Sequence, residues 1–223
     1  VLIGTRGSGG AADQLLGPRG VAVDSSDNVY VADTGNNRVV RLSSATHALE
    51  VVAGPEVLVE PRAVAFDDVG RMHVLEADGE VLRFESDGSG TVTLVTSSHA
   101  ASTPVSNASG LAVGPGETPD VFVADAGNNR VLRWRGGIAA VLANLTLPSQ
   151  MVSSGSGVYV AARGEHRVVL VSESGDVTTV AGDGGSTRSM TSVPNPWAVA
   201  LDQSGKVLVG EDGRITRWSG TNV

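Results

Sequence analysis

Pro18 to Leu42 reads PRGVAVDSSDNVYVADTGNNRVVRL, and the chain returns to that pattern four more times. From Pro61 it reads PRAVAFDDVGRMHVLEADGEVLRF, and from Ser109 SGLAVGPGETPDVFVADAGNNRVLRW. From Pro148 it reads PSQMVSSGSGVYVAARGEHRVVLV, and from Pro196 PWAVALDQSGKVLVGEDGRITRW. Short apolar runs separate the units: LEVVAG ending at Gly54, TVTLV at Val95, AAVLA at Ala143 and VTTVAG at Gly182. Each unit thus offers four short strands, typified by GVAVD, NVYVAD, RVVRL and LEVVAG, divided by Gly, Asn, Asp and Ser turns. No long segment keeps a 3.6-residue apolar period, so helices should be nearly absent. Four strands per unit of roughly 45 residues is the signature of a propeller blade.

The expected fold is therefore all-β: a five-bladed β-propeller of four-stranded antiparallel blades forming one domain. The blades fall at about 18–60, 61–107, 108–147, 148–195 and 196–223, the last completed by 1–17. The last unit stops after its third strand, while VLIG at Val1–Gly4 resembles a fourth strand without its first three. The amino-terminal strand is thus expected to complete the last blade, removing an open edge. Residue 1 is Val and no charged start leads into an apolar segment, which suggests a mature or excised piece of something longer.

Aligned columns carry physical meaning. Ala22, Ala65, Ala112 and Ala200 share one first-strand position, with Val152 the exception. Ala32, Ala124, Ala161 and Gly210 share a second-strand position, with Leu75 the exception. Small residues are expected where inner strands crowd together. Leu42, Phe84, Trp134, Val171 and Trp218 supply bulk farther out, which makes Trp134 and Trp218 core residues.

Composition narrows the function classes. The 223 residues carry a net charge of −8, and Lys206 is the single lysine. A phosphate-tracking face needs clustered Lys and Arg, so nucleic acid is not an expected partner. No run of 18 apolar residues occurs, so no membrane span is expected within the chain. Zero cysteines exclude disulfides, thiolate metal sites and a Cys nucleophile. GxSxG, HExxH, a phosphate loop ending in GK[ST] and the EF-hand pattern are all missing. His47, His73, His99 and His166 scatter over different layers of the blades, so neither a metal site nor any other cofactor is expected. Sequons at Asn107 and Asn144 occur at chance frequency.

The second-to-third hairpin reads Asp33–Thr34–Gly35–Asn36–Asn37–Arg38 and recurs as Asp125–Ala126–Gly127–Asn128–Asn129–Arg130. Gly and Asn suit positive backbone angles in a tight turn, and Asp and Arg can pair across it. Unit two offers Glu76 and Glu80 and so lacks the Arg; unit four offers Ala162 and Arg167 and so lacks the acid; unit five shortens to Glu211–Asp212–Gly213–Arg214. By strand alternation these hairpins share a face with the residues entering each first strand: Arg19, Arg62, Ser109, Ser149 and Trp197. Trp197 breaks that column, and an aromatic beside arginines suits a ligand or peptide contact. Arg163, in the aberrant fourth hairpin, is expected to join it. The candidate ligand-binding set is Arg19, Arg62, Trp197 and Arg163, with the hairpin acids Asp33, Glu76, Asp125 and Glu211; no residue is assigned a catalytic role.

GPRGVAVDSSDNVYVADTGNNRVVRL and FVADAGNNRVLRW resemble the NHL repeat, and VTTVAGDGG resembles its blade-to-blade passage. The resemblance implies a β-propeller whose members include extracellular sensor domains, RNA- or protein-binding domains and surface proteins. It leads to the expectation of a non-catalytic binding scaffold, extracellular, periplasmic or at the cell surface, that recognises a protein or small ligand on the channel-mouth face. The alternative is a metal-dependent lyase or lactonase-like hydrolase, for which Asp33, Glu76, Asp125 and Glu211 would supply the acidic ligands.

Overall fold

The structure, a computed structural model, describes residues 9–11, 13–85, 90–95, 104–185 and 192–218. They form five antiparallel sheets, the blades of a five-bladed β-propeller. The described residues fall into two compact units, one within Val1–Ser97 and one within Ser98–Val223.

The first unit holds two four-stranded blades. Blade one comprises β1 (Gly20–Val23), β2 (Val29–Asp33), β3 (Arg38–Leu42) and β4 (Leu49–Ala53), paired in that order. Blade two comprises β5 (Pro61–Phe66), β6 (Met72–Glu76), β7 (Val81–Phe84) and β8 (Thr91–Val95). The core between them joins Tyr30, Ala32, Val39 and Leu58 to Val64, Met72, Val74 and Leu82. Tyr30 meets Phe66 edge-on with ring centroids 4.7 Å apart.

The second unit holds three blades. Blade three comprises β9 (Ala108–Val113), β10 (Val121–Asp125), β11 (Arg130–Arg135) and β12 (Ile138–Asn144). Blade four comprises β13 (Pro148–Ser154), β14 (Gly157–Ala162), β15 (Arg167–Val171) and β16 (Val177–Ala181). Blade five comprises β17 (Ala198–Leu201), β18 (Val207–Glu211) and β19 (Arg214–Trp218). The expected completion of this blade by Val1–Gly4 lies outside the described residues. Trp134 is buried, and Trp218 packs half-buried against the core formed by Val168, Ala181, Val193, Val199, Val207 and Val209. Among the described residues no helix is long and apolar enough to cross a membrane.

The alanine column has bulky partners across most blades. Ala22, Ala65 and Ala112 lie opposite Tyr30, His73 and Phe122 in register, while Ala200 faces Leu208 and Val152 faces Tyr159. A small side chain on the first strand makes room for a large one on the second. A close approach between blades comes two residues earlier, at Gly110. A Cβ on Gly110 would stand 2.2 Å from the Ser149 carbonyl oxygen of the next blade, closer than any side chain tolerates.

Candidate functional site

The hairpin between second and third strands is one device used repeatedly. A 3₁₀ turn covers Thr34–Asn36, Ala126–Asn128 and Arg163–Glu165, closed by Asn37, Asn129 and His166 at φ of 51°, 54° and 53°. Of the Gly and Asn expected to take positive angles, it is the Asn, or His166 in blade four, that does so. Gly127 is needed for a close approach instead. Its N–H donates to the Ser106 carbonyl at 2.8 Å, and a Cβ there would lie 2.7 Å from that same oxygen.

The hairpin acids are buried and hold the incoming chain. Asp33 Oδ1 accepts the Leu16 amide at 2.7 Å, Glu76 Oε1 the Val59 amide at 2.6 Å, and Asp125 Oδ1 the Ser106 amide at 2.8 Å. Arg38 Nε then donates to Asp33 at 2.7 Å and Arg130 Nε to Asp125 at 2.6 Å, as expected from their spacing. In blade five Glu211 accepts both Arg214 Nε and Nη2 at 3.1 Å. Blade four corrects the reading that it lacks an acid: Glu165, inside the turn, accepts the Thr146 amide at 2.7 Å and the Arg167 Nε at 2.9 Å. Among the described residues no Arg pairs with Glu76. Burial pushes its pKa up, Asp78 and Glu80 push the same way, and the Val59 amide opposes them.

Ser109 and Ser149, from the same column as Trp197, prove to be ties between blades. Ser109 Oγ donates to the Pro148 carbonyl at 2.8 Å, and Ser149 Oγ reaches the Pro196 and Trp197 carbonyls at 3.2 and 3.1 Å. In the first unit the structure brings Arg19 and Arg62 within electrostatic reach of each other. Burial lowers the Arg62 pKa first, and the like charge of Arg19 lowers it further.

Trp197 and Arg163 come together on blades four and five of the second unit. Trp197 is 44% exposed, and the Arg163 guanidinium carbon lies 3.5 Å from its ring centroid. Arg163 Nε donates to Asn195 Oδ1 at 2.9 Å, Asn195 Nδ2 to Asp212 Oδ2 at 2.7 Å, and Trp197 Nε1 to Asp212 Oδ1 at 3.0 Å. Four side chains therefore close a ring of contacts. The backbone beneath is fixed as well: the Trp197 amide donates to the Gly210 carbonyl at 2.9 Å. Asn195 sits between Pro194 and Pro196, which restrict its freedom on both sides. The His166 ring donates through Nδ1 to the Pro194 carbonyl and steadies the same loop.

Sequence reasoning found Trp197 and Arg163 as breaks in their columns, and missed Asn195 and Asp212. One signal for Asn195 was present, its place in the Pro-Asn-Pro run. The equivalent residues Gly17, Glu60, Asn107 and Leu147 take positive φ; Asn195 does not.

A family model, NHL repeat, matches residues 15–42. Comparison with the curated proteins finds no match. Among solved structures, a catalytically inactive virginiamycin B lyase from Staphylococcus aureus, crystallised with quinupristin, matches at 14% identity with a TM-score of 0.69. That match covers 99% of this chain and 74% of the other. A structural-genomics protein of unknown function from Bacteroides thetaiotaomicron matches at 14% identity and a TM-score of 0.72, covering 94% and 60%. A chain of a nidogen/laminin complex matches at 18% identity and 0.69, covering 87% and 72%. Identities this low establish the fold alone. The comparisons thus show an NHL repeat at residues 15–42 and a β-propeller fold.

Proposed function

We propose that the chain is an interaction domain that binds a protein or small ligand on the surface around Trp197 and Arg163. One observation carries this reading: a half-exposed indole is held by two polar partners, Asp212 and Arg163, instead of being buried. Tryptophan and arginine are the residues most enriched at the centres of binding surfaces. A side chain already fixed loses little entropy when a partner arrives. Rigid blades beneath the loops serve the same end. In the first unit, Arg19 and Arg62 form a second candidate group. The hairpin acids Asp33, Glu76 and Asp125 support the reading by holding incoming loops, and Glu211 by pairing with Arg214 in its own hairpin.

The test separates binding from packing. Trp197→Ala should lower the Tm by only a few degrees, whereas Trp134→Ala should cost about 3–5 kcal/mol. A Trp197→Ala chain as unstable as Trp134→Ala would mark the indole as a packing residue and reject the reading. The lyase or hydrolase alternative would show stoichiometric metal in the purified protein. Among the described residues, no three His, Asp or Glu side chains converge as a metal ion would need.

A further inference from the structure

Of the arginines at the hairpins, Arg38, Arg130, Arg167 and Arg214 each face a carboxylate. Arg163 does not. Its Nε is taken by the neutral Asn195 amide, and its flat face rests on the neutral Trp197 ring. The carboxylate in that ring, Asp212, accepts from Trp197 and Asn195. Arg163 is only half-buried, and among the described residues no acidic side chain forms an ion pair with it. Stacking and the Asn195 bond fix the plane of the guanidinium and leave its Nη edge for another partner. A planar fork held in place is suited to bidentate recognition of a carboxylate.

We infer that the Trp197–Arg163 surface recognises a carboxylate-bearing ligand, the acid pairing with the Arg163 Nη edge while an apolar or aromatic group lies on the exposed indole. The inference rests on the reading of Trp197 as a binding surface and adds the charge of its ligand. It also accounts for Arg163 itself. The other 3₁₀ turns carry Thr34 or Ala126 at that position, both buried, so the turn needs no arginine. A cation that, among the described residues, has no ion pair of its own in a chain of net charge −8 is suited to meet an anion.

The probes are N-acetyl-phenylalanine and its neutral C-terminal amide, titrated against the whole chain while the indole N–H resonances are followed. The acid should move the Trp197 resonance and bind at least about tenfold more tightly than the amide. Arg163→Gln should erase that preference, and Arg163→Lys should restore only part of it because the fork is lost. Equal binding of acid and amide would overturn the carboxylate inference while leaving the binding surface standing. No response to either probe, with a lower Tm in Arg163→Gln, would overturn it too, making the stacked pair a brace between blades four and five.

Discussion

The Glu165 carboxylate accepts the Thr146 amide at 2.7 Å, the bond that Asp125 makes to Ser106 at 2.8 Å from a different position in its hairpin. In blades one to four a hairpin carboxylate receives the incoming chain, but not from one fixed position. The acid is therefore needed for folding, and its loss should be felt through its arginine. Asp125→Ala breaks the buried pair with Arg130 and the bond to the Ser106 amide, and should cost about 3 kcal/mol or more. Glu165→Ala, with its arginine more exposed, should cost about 1 kcal/mol. Urea denaturation of both variants checks the order.

Blade two lacks the arginine, so Glu76 lies buried with only the Val59 amide to favour its charge. Glu80→Arg removes one repelling carboxylate and supplies a cation. It should stabilise the chain at pH 7 by about 1 kcal/mol. The gain requires an ionised Glu76, so it should fade as pH falls through the Glu76 titration. Stability curves of both proteins from pH 7 to pH 4 test this.

His73 occupies the column of Tyr30 and Phe122 and is fully buried. Its Nδ1 lies 3.2 Å from the Arg71 carbonyl, which can only accept, so Nδ1 carries the proton of the neutral ring. Nε2 is buried with no hydrogen bond. Burial lowers the pKa to about 4 from the ordinary 6.5, against a smaller opposing pull from Asp67. The unfolded chain then binds the proton first as pH falls. Stability is full above about pH 6.5 and should decline by up to about 3 kcal/mol towards pH 4. His73→Phe should flatten that slope, as measured by denaturation across the same range.

Gly110 and Gly155 separate close approach from turn chemistry. Gly110→Ala drives a Cβ into the Ser149 carbonyl and should cost several kcal/mol. Gly155 has no positive φ and open space around it, so Gly155→Ala should be neutral or slightly stabilising. Thermal melts of the two variants give the comparison.

The blades were legible because their signals are local and recur: alternating apolar residues and turn residues come five times, and the Asp-to-Arg spacing twice. Trp197 and Arg163 were legible as departures from that regularity. Glu165 was not, because its carboxylate arrives from inside a 3₁₀ turn whose shape no spacing rule describes. Asn195 and Asp212 were hidden for a similar reason. They belong to loops 17 residues apart that meet only when blade five is folded, and neither type is unusual in a turn. The Ser109 and Ser149 ties were equally invisible, since a serine facing a neighbouring blade reads like a serine facing water.

A Trp197 held exposed for a partner should be found by ligands before any other part of the surface. Screening the isotope-labelled chain against a library of small aromatic and peptidic fragments, read at the indole N–H resonances, tests it most directly. Binders should move the Trp197 resonance, leave buried Trp134 in place, and lose their effect in Trp197→Ala. Fragments that gather elsewhere and leave the Trp197 resonance unmoved would contradict the account.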